Sequence, residues 1–260
     1  MPRRTSYSQG TPNWVDQQTT DQARAKSFYG ELFGWQFDDQ AAPQDNIYSM
    51  ASKGDGVVAA LAPQSPDMVA RGAPPTWNTY LAVDDVDAVA KRVGPAGGNL
   101  LMEPFDVMDA GRMAFALDPS GAAVGLWQAN QHIGATIVNE PGTLIWNELI
   151  TENADSALPF YQEVFGLEAE AVDVGMGAYT MLKAGDKGVA GSMAPPMEGV
   201  PNHWHVYFAV EDVVKAAETA RKLGGEVVSG PNETPIGPMA MLRDPLGGTF
   251  SVFAPIEPPA

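Results

Sequence analysis

Two stretches of the sequence, WNTYLAVDDV at residues 77–86 and WHVYFAVEDV at residues 204–213, are variants of one another. Upstream, a pattern of aromatic residues and glycine also occurs twice with identical internal spacing, at Trp14, Phe28, Tyr29, Phe33 and Gly34 and again at Trp146, Phe160, Tyr161, Phe165 and Gly166. Downstream, DPSG at residues 118–121 returns as DPLG at residues 244–247. A register kept over this length indicates an internal repeat. We therefore predict two homologous domains, residues 11–130 and 142–255, joined by a linker at residues 131–141.

Each copy contains the same order of local patterns. A short strand is followed by a helix whose apolar residues recur at the spacing of one buried face, namely Ala25, Phe28, Tyr29, Leu32 and Phe33. Short strands follow the helix, and the same order then occurs again around a second helix near residues 86–93 or 213–223. The pattern predicts an α+β fold in which each domain contains two β-α-β-β-β units.

Composition excludes several classes of function. The 260 residues carry a formal net charge of −17, which disfavours binding to nucleic acids and to anionic membrane surfaces. The chain has no cysteine, so it has no disulfide and no thiolate nucleophile. It also shows no apolar run long enough to cross a bilayer and no secretory signal pattern. We expect a cytoplasmic protein, with non-classical export as the alternative.

The helix FYGELFGW after a Thr-Asp cap, the block AVDDVDA and the block DPSGAAVGLWQ together resemble the vicinal-oxygen-chelate superfamily. That superfamily includes glyoxalase I, bleomycin-resistance proteins and extradiol dioxygenases. The resemblance implies tandem glyoxalase-like domains, each of two βαβββ units that form an open curled sheet around a cleft. It also implies either a monomer whose domains pack about a pseudo-twofold axis or a homodimer.

Superfamily enzymes usually hold a divalent metal with His, Gln or Glu side chains from both units of a domain. The corresponding positions here are Trp14, Asn78 and Gly125 in the first domain and Trp146, His205 and Ser251 in the second. Because indole rings and glycine offer no lone pair to a metal, we expect no metal and no other cofactor. A set of His203, His205 and Glu148 is the alternative, since alternate residues of a strand share a face.

Strand alternation predicts which side chains face each cleft, and the superfamily register selects the face that holds Asn78, Tyr80, His205 and Tyr207. Arg112 follows a turn and is a candidate to hold an anionic ligand, although a solvated hairpin arginine is the favoured interpretation. The methionines concentrated in the second domain are interpreted as core filler. The complete set of candidate ligand-binding residues is Trp14, Asp16, Asn78, Tyr80, Arg112, Trp146, Glu148, His203, His205 and Tyr207.

Two functions are compatible with these clefts. Aromatic rings in place of metal ligands favour the binding of a small aromatic or apolar molecule without conversion. Alternatively, the resemblance implies a glyoxalase-like lyase or isomerase acting on a small dicarbonyl compound or its thiol adduct. In that case Glu148 and His205 are the catalytic candidates, with Glu148 moving the proton and His205 polarising the carbonyl.

Overall fold

The structure is a computed structural model that describes residues 3–42, 46–175 and 177–256. Within these residues the first half of the chain contains β1 (Pro12–Thr19), α1 (Gln22–Phe33), β2 (Gln36–Ala42), β3 (Asn46–Lys53), β4 (Gly56–Pro63), α2 (Pro66–Ala70), β5 (Thr76–Ala82), α3 (Val86–Val93), β6 (Asn99–Val107), β7 (Gly111–Leu117) and β8 (Ala123–Ala129). The second half contains β9 (Leu144–Ile150), α4 (Ala154–Phe165), β10 (Glu168–Asp173), β11 (Ala178–Ala184), β12 (Lys187–Met193), β13 (His203–Ala209), α5 (Val213–Lys222), β14 (Glu226–Asn232), β15 (Met239–Arg243) and β16 (Thr249–Phe253).

The strands form two sheets of identical topology. The first has the order β2-β3-β4-β1-β5-β8-β7-β6, and the second has the order β10-β11-β12-β9-β13-β16-β15-β14. In each sheet the first strand of one unit lies antiparallel to the first strand of the next, while each unit closes with a parallel pair. Each sheet is therefore two βαβββ units joined edge to edge and curled around a concave face, which confirms the predicted fold class.

Helices α1, α3, α4 and α5 lie between the two sheets, and the two large hydrophobic cores are shared by both halves of the chain. Phe28 and Phe33 of α1 pack with Phe208 and Phe250 of the second half. In the other core, α3 packs against α4, whose Phe160 is almost fully buried. Because burial of apolar surface is the main favourable contribution to folding, these cores join the halves into one packed unit.

The aspartates of the DPSG and DPLG turns make reciprocal hydrogen bonds across the interface. Tyr29 of α1 donates its hydroxyl to Asp244 at 2.8 Å, and Tyr161 of α4 donates to Asp118 at 3.0 Å. Gln17 adds a further hydrogen bond to Asp244 at 2.5 Å. The first helix of each domain is thus bound to the last turn of the other domain. The two sets of contacts are therefore related to each other as they would be by a twofold axis.

The corresponding helices α1 and α4 differ at their amino termini. Asp21 accepts a hydrogen bond from the backbone N–H of Arg24 at 3.0 Å, whereas Asn153 makes no side-chain capping bond. Both helices end at a glycine in the left-handed region, Gly34 and Gly166. Of the helices that the structure describes, none is both long and apolar enough to cross a membrane.

The segment between the sheets covers one end of the first concave face. The backbone N–H of Ala135 donates to the Asn13 carbonyl, and the N–H of Thr136 donates to the Val57 carbonyl, both at 2.8 Å. Upstream, His132 places its ring edge-on to the Trp14 ring, with 4.4 Å between the ring centroids. The segment is therefore part of the first domain's wall.

Candidate functional site

The first concave face is centred on the buried carboxylate of Asp16. Pairing of β1 with β5 places Asp16 opposite Asn78 and Trp14 opposite Tyr80. Asp16 accepts hydrogen bonds from Asn78 Nδ2 at 2.8 Å, Tyr80 Oη at 2.8 Å and Tyr48 Oη at 2.9 Å. Trp14 Nε1 in turn donates to Tyr48 Oη at 2.8 Å. The structure thus brings together four of the predicted site residues, Trp14, Asp16, Asn78 and Tyr80. Tyr48 is the fifth member of this cluster.

Burial dominates the electrostatics of this cluster. Desolvation raises the pKa of Asp16 above its usual value, although the three hydrogen bonds favour the ionised form and oppose part of that rise. The pKa values of Tyr48 and Tyr80 are raised well above 10 by burial and by the adjacent carboxylate. Both hydroxyls therefore keep their protons and act as donors to Asp16.

The second concave face has a matching cluster around Glu148. Tyr207 donates to Glu148 Oε2 at 2.5 Å, and Tyr179 also bonds to this carboxyl group. Trp146 Nε1 donates to Tyr179 Oη at 2.8 Å, as Trp14 does to Tyr48. Desolvation raises the pKa of Glu148, and the tyrosine hydrogen bonds partly offset that effect.

In the second cluster an imidazole takes part in the hydrogen bonding, whereas in the first domain His132 packs edge-on against Trp14. His205 lies opposite Glu148 across the β9–β13 pair, and its Nε2 is 2.8 Å from the Ser251 hydroxyl oxygen. Burial lowers the pKa of His205 to about 3, so the imidazole is neutral at physiological pH. His203 lies nearer the surface, where its Nδ1 is 2.8 Å from the Pro201 carbonyl, and burial lowers its pKa as well.

Four groups form a continuous hydrogen-bonded chain in the second domain. The chain runs from Glu148 through the Tyr207 hydroxyl to Ser251 and then to His205. Asn78 and Gly125 occupy the first-domain positions that correspond to His205 and Ser251, so the first domain cannot form this chain. Only the second cluster therefore connects a buried acid to an imidazole.

A family model described as the Glyoxalase/Bleomycin resistance protein/Dioxygenase superfamily matches the chain twice, over residues 11–126 and 131–252. The chain belongs to this superfamily. The resemblance inferred from the sequence motifs is therefore confirmed.

Relatives extend over nearly the whole chain. A Mycobacterium tuberculosis protein named "Putative glyoxylase CFP32" is 57% identical over 258 residues, covering 98% of each chain. "Anthracycline biosynthesis protein DnrV" of Streptomyces peucetius is 38% identical, with 95% of this chain and 94% of the relative covered. The fold is similar to that of the Mn(II)-bound glyoxalase from Novosphingobium aromaticivorans, with a TM-score of 0.66 at 16% identity, over 96% of this chain and 83% of that one.

The superfamily's usual metal positions do not carry a suitable donor set here. The ring of Tyr80 lies directly over Gly125, so this tyrosine fills the space where a ligand side chain would project, and in the second domain Tyr179 lies over Gly191. In residues 3–42, 46–175 and 177–256, no three His, Cys, Asp or Glu side chains form a group that could hold a metal ion. His203, His205 and Glu148 therefore do not form the alternative metal set. Because structural and catalytic sites normally use three or four ligands, the described residues do not fit a divalent metal.

The concave faces also carry apolar side chains that remain partly exposed. In the first domain Phe115 packs on Tyr80, with 5.2 Å between ring centroids. Strand pairing places Met102 opposite Phe115 and Phe105 opposite Met113, and cross-strand partners share a face. Met102 is 45% exposed and Phe105 is 36% exposed. The first cleft is therefore apolar around its polar base.

In the second domain, methionine side chains occupy the equivalent part of the concave face. Met239 and Met241 lie opposite Phe253 and Ser251, and both methionines are partly exposed. No methionine is fully buried in the part of the chain that the structure describes, although Met239 packs, partly buried, against Ile145, Ala209 and Phe253, so the core-filler interpretation applies only at the edge of the core. Met176, which belonged to that interpretation, lies outside the described residues.

Arg112 lies apart from both hydrogen-bonded clusters. Its guanidinium contacts Asp87 at 2.7 Å and Asp106 at 2.9 Å, which raises the pKa of Arg112 and lowers that of Asp87. Sequence reasoning missed Tyr48 and Tyr179. The signal was available, because these two tyrosines recur in nearly the same register of the repeat as the tryptophans to which they bond.

Proposed function

We propose that the chain binds a planar, largely apolar small molecule on its concave faces without the help of a metal. One observation carries the proposal: the polar groups at the base of each face bond to one another, while phenylalanine and methionine side chains around them stay partly exposed. Such a surface offers ring stacking and adaptable thioether contacts in place of metal ligands.

The relatives favour the same class of ligand. A protein named for anthracycline biosynthesis shares 38% of its residues with this chain over almost its whole length. Anthracyclines are flat polycyclic molecules, and a flat ring system matches the open surface around Phe105 and Phe115. The specific ligand of this chain is a separate question that binding measurements answer.

The test is titration of the protein with a panel of neutral planar polycycles. Binding is measured by tryptophan fluorescence and by calorimetry. We expect quenching with at least one polycycle, and an affinity reduced about 10-fold or more by Phe105→Asp or Met241→Asp. A matched control is Val69→Asp, because Val69 is 50% exposed on α2 away from both clefts. No binding across the panel, or equal binding by all three variants, would contradict the proposal.

A second candidate function is that of a lyase or isomerase acting on a small dicarbonyl compound or its thiol adduct. The observation that favours it is the chain from Glu148 through Tyr207 and Ser251 to His205. Burial raises the pKa of Glu148 above its usual value, and a raised pKa favours a carboxyl group as a general acid or base. Glu148 would move the substrate proton, and the neutral His205 would polarise the carbonyl. The relative named as a glyoxylase supports this chemistry.

Turnover assays distinguish the two candidates. Methylglyoxal is supplied with and without a low-molecular-weight thiol to the wild type, Glu148→Gln, His205→Ala and a control, Glu163→Gln, on the exposed side of α4. The enzymatic candidate requires activity that both cleft substitutions abolish and the control retains. Activity that survives both substitutions removes these residues from the mechanism.

A further inference from the structure

A cavity of about 210 Å³ lies beside Trp146, between the N-terminal segment and the first residues of β9 and β12. Arg4 and Lys187 line this cavity, and no aspartate or glutamate is found among the described residues that line it. In a chain with 32 acidic and 15 basic residues, a cavity lined by two cations and no acid is unusual. The cavity thus has the electrostatics of an anion site.

The first domain shows what occupies the corresponding space there. Strands β1 and β4 pair only from Asp16 and Ala60 onward. Upstream of that point the linker fills the gap between the two strands. There the hydroxyl oxygen of Thr136 accepts a hydrogen bond from the backbone N–H of Val57. The imidazole ring of His132 lies edge-on to Trp14 beside this gap. The chain therefore supplies its own aromatic ring next to the first tryptophan.

In the second domain, no described residue fills the corresponding space. Strands β9 and β12 pair only from Glu148 and Gly191 onward, and the cavity lies upstream of that point. By the register of the repeat, Trp146 corresponds to Trp14, and Lys187 corresponds to Gly56. The cavity thus lies beside Trp146 at the place that residues 135 and 136 of the linker fill in the first domain.

The two cations are available to a ligand. Other basic side chains, such as Lys26, Lys183 and Arg243, are held in ion pairs. Neither Arg4 nor Lys187 forms an ion pair with any residue in the part of the chain described here. Arg4 is half-buried, so a bound anion there would be only partly screened by solvent.

We infer that this cavity binds a planar aromatic carboxylate, with its ring against Trp146 and its carboxylate between Arg4 and Lys187. The ring packs against the indole of Trp146, and the two cations supply charge-assisted contacts to the carboxylate oxygens. The inference rests on the proposed function, because it takes the second domain as a ligand-binding domain, and it adds the ligand's charge and position.

The experiment compares 2-naphthoate with its neutral analogue 2-naphthylmethanol by calorimetry. We expect the wild type to bind the carboxylate at least 10-fold more tightly than the alcohol. The double variant Arg4→Gln/Lys187→Gln should lose that preference. Lys91→Gln/Lys222→Gln, which removes the same charge at two exposed sites, should keep it. Inorganic phosphate should not displace the carboxylate at equal concentration.

The remaining outcomes overturn the inference. They are equal binding of the two naphthalenes, no binding of naphthoate, insensitivity to the Arg4/Lys187 substitutions, or displacement by phosphate, which would show a bare anion site. The proposed function is judged separately, by neutral polycycles and the concave-face variants. Loss of naphthoate binding with retained polycycle binding therefore rejects only this inference.

Discussion

Asp16 and Glu148 show how a single buried carboxyl group determines the shape of each cleft. Each draws two tyrosine hydroxyls toward it, and the tyrosine rings then cover Gly125 or Gly191. A buried acid without partners would cost several kcal/mol, so the hydrogen bonds are a condition for its burial. Positions used for metal ligands elsewhere in the superfamily have thus become parts of a protein hydrogen-bond network.

Gly125 should tolerate no side chain, because the Tyr80 ring occupies the space that a Cβ atom would take. We expect Gly125→Ala to lower the free energy of unfolding by about 1–3 kcal/mol, the usual cost of overpacking. Urea denaturation measures the change. Gly121→Ala is unsuitable as a control because Gly121 has a positive φ, so Ala123→Gly on the exposed end of β8 serves instead. Wild-type stability in Gly125→Ala would contradict the packing seen here.

His205 should make the stability depend on pH. Its pKa is about 3 in the folded chain and near 6.5 when unfolded, so the stabilisation is complete above pH 6.5 and is lost as the pH falls toward 3. Between pH 7.5 and pH 5 the unfolded state gains about 2 kcal/mol from this one group. Denaturant titrations at both pH values measure the effect. On going from pH 7.5 to pH 5, the free energy of unfolding of His205→Gln should fall by about 2 kcal/mol less than that of the wild type. Identical losses would show that His205 ionises in the folded state.

At the scale of elements, the repeat made the four βαβββ units predictable, because aromatic spacing and strand alternation are local patterns. Strand alternation, together with the register that the superfamily resemblance implied, also placed Asp16 and Tyr80 on one face. Tyr48 was missed although its recurrence as Tyr179 was visible in the repeat, because its bonds to Trp14 and Asp16 depend on how separate strands pair. The DPSG and DPLG turns were recognised, but Asp118 and Asp244 bond to tyrosines that lie far from them in the chain. Their role depended on packing between domains, which sequence patterns do not show.

The two equivalent helices α1 and α4 should respond differently to loss of their N-cap residues. Asp21 caps α1 through its side chain, so Asp21→Ala should cost about 1 kcal/mol. Asn153 makes no such bond, and Asn153→Ala should change stability by less than about 0.5 kcal/mol. Thermal denaturation of both variants measures the difference. Equal costs would indicate that the caps are equivalent in solution.

At the scale of the molecule, the shared cores imply that the halves unfold together. Substitution of Tyr29 by Phe removes the hydrogen bond to Asp244 and should destabilise the whole chain by about 1–3 kcal/mol. Calorimetry should show one transition for both wild type and variant, with equal calorimetric and van't Hoff enthalpies. Two separate transitions, with only one shifted by Tyr29→Phe, would show that the halves are thermodynamically independent.

The reciprocal bonds of Tyr29 with Asp244 and of Tyr161 with Asp118 have a consequence for the history of the chain. Contacts of this form belong to symmetric pairs of identical subunits, which separate when they are diluted. Covalent fusion holds the partners at a high effective concentration, so the fold no longer depends on how much protein a cell makes. After fusion the two copies are also encoded by separate stretches of sequence, so each can change without the other. The copy around Trp14 could be sealed by the connecting segment while the copy around Trp146 stayed open, a division of labour that one gene for a symmetric pair cannot encode.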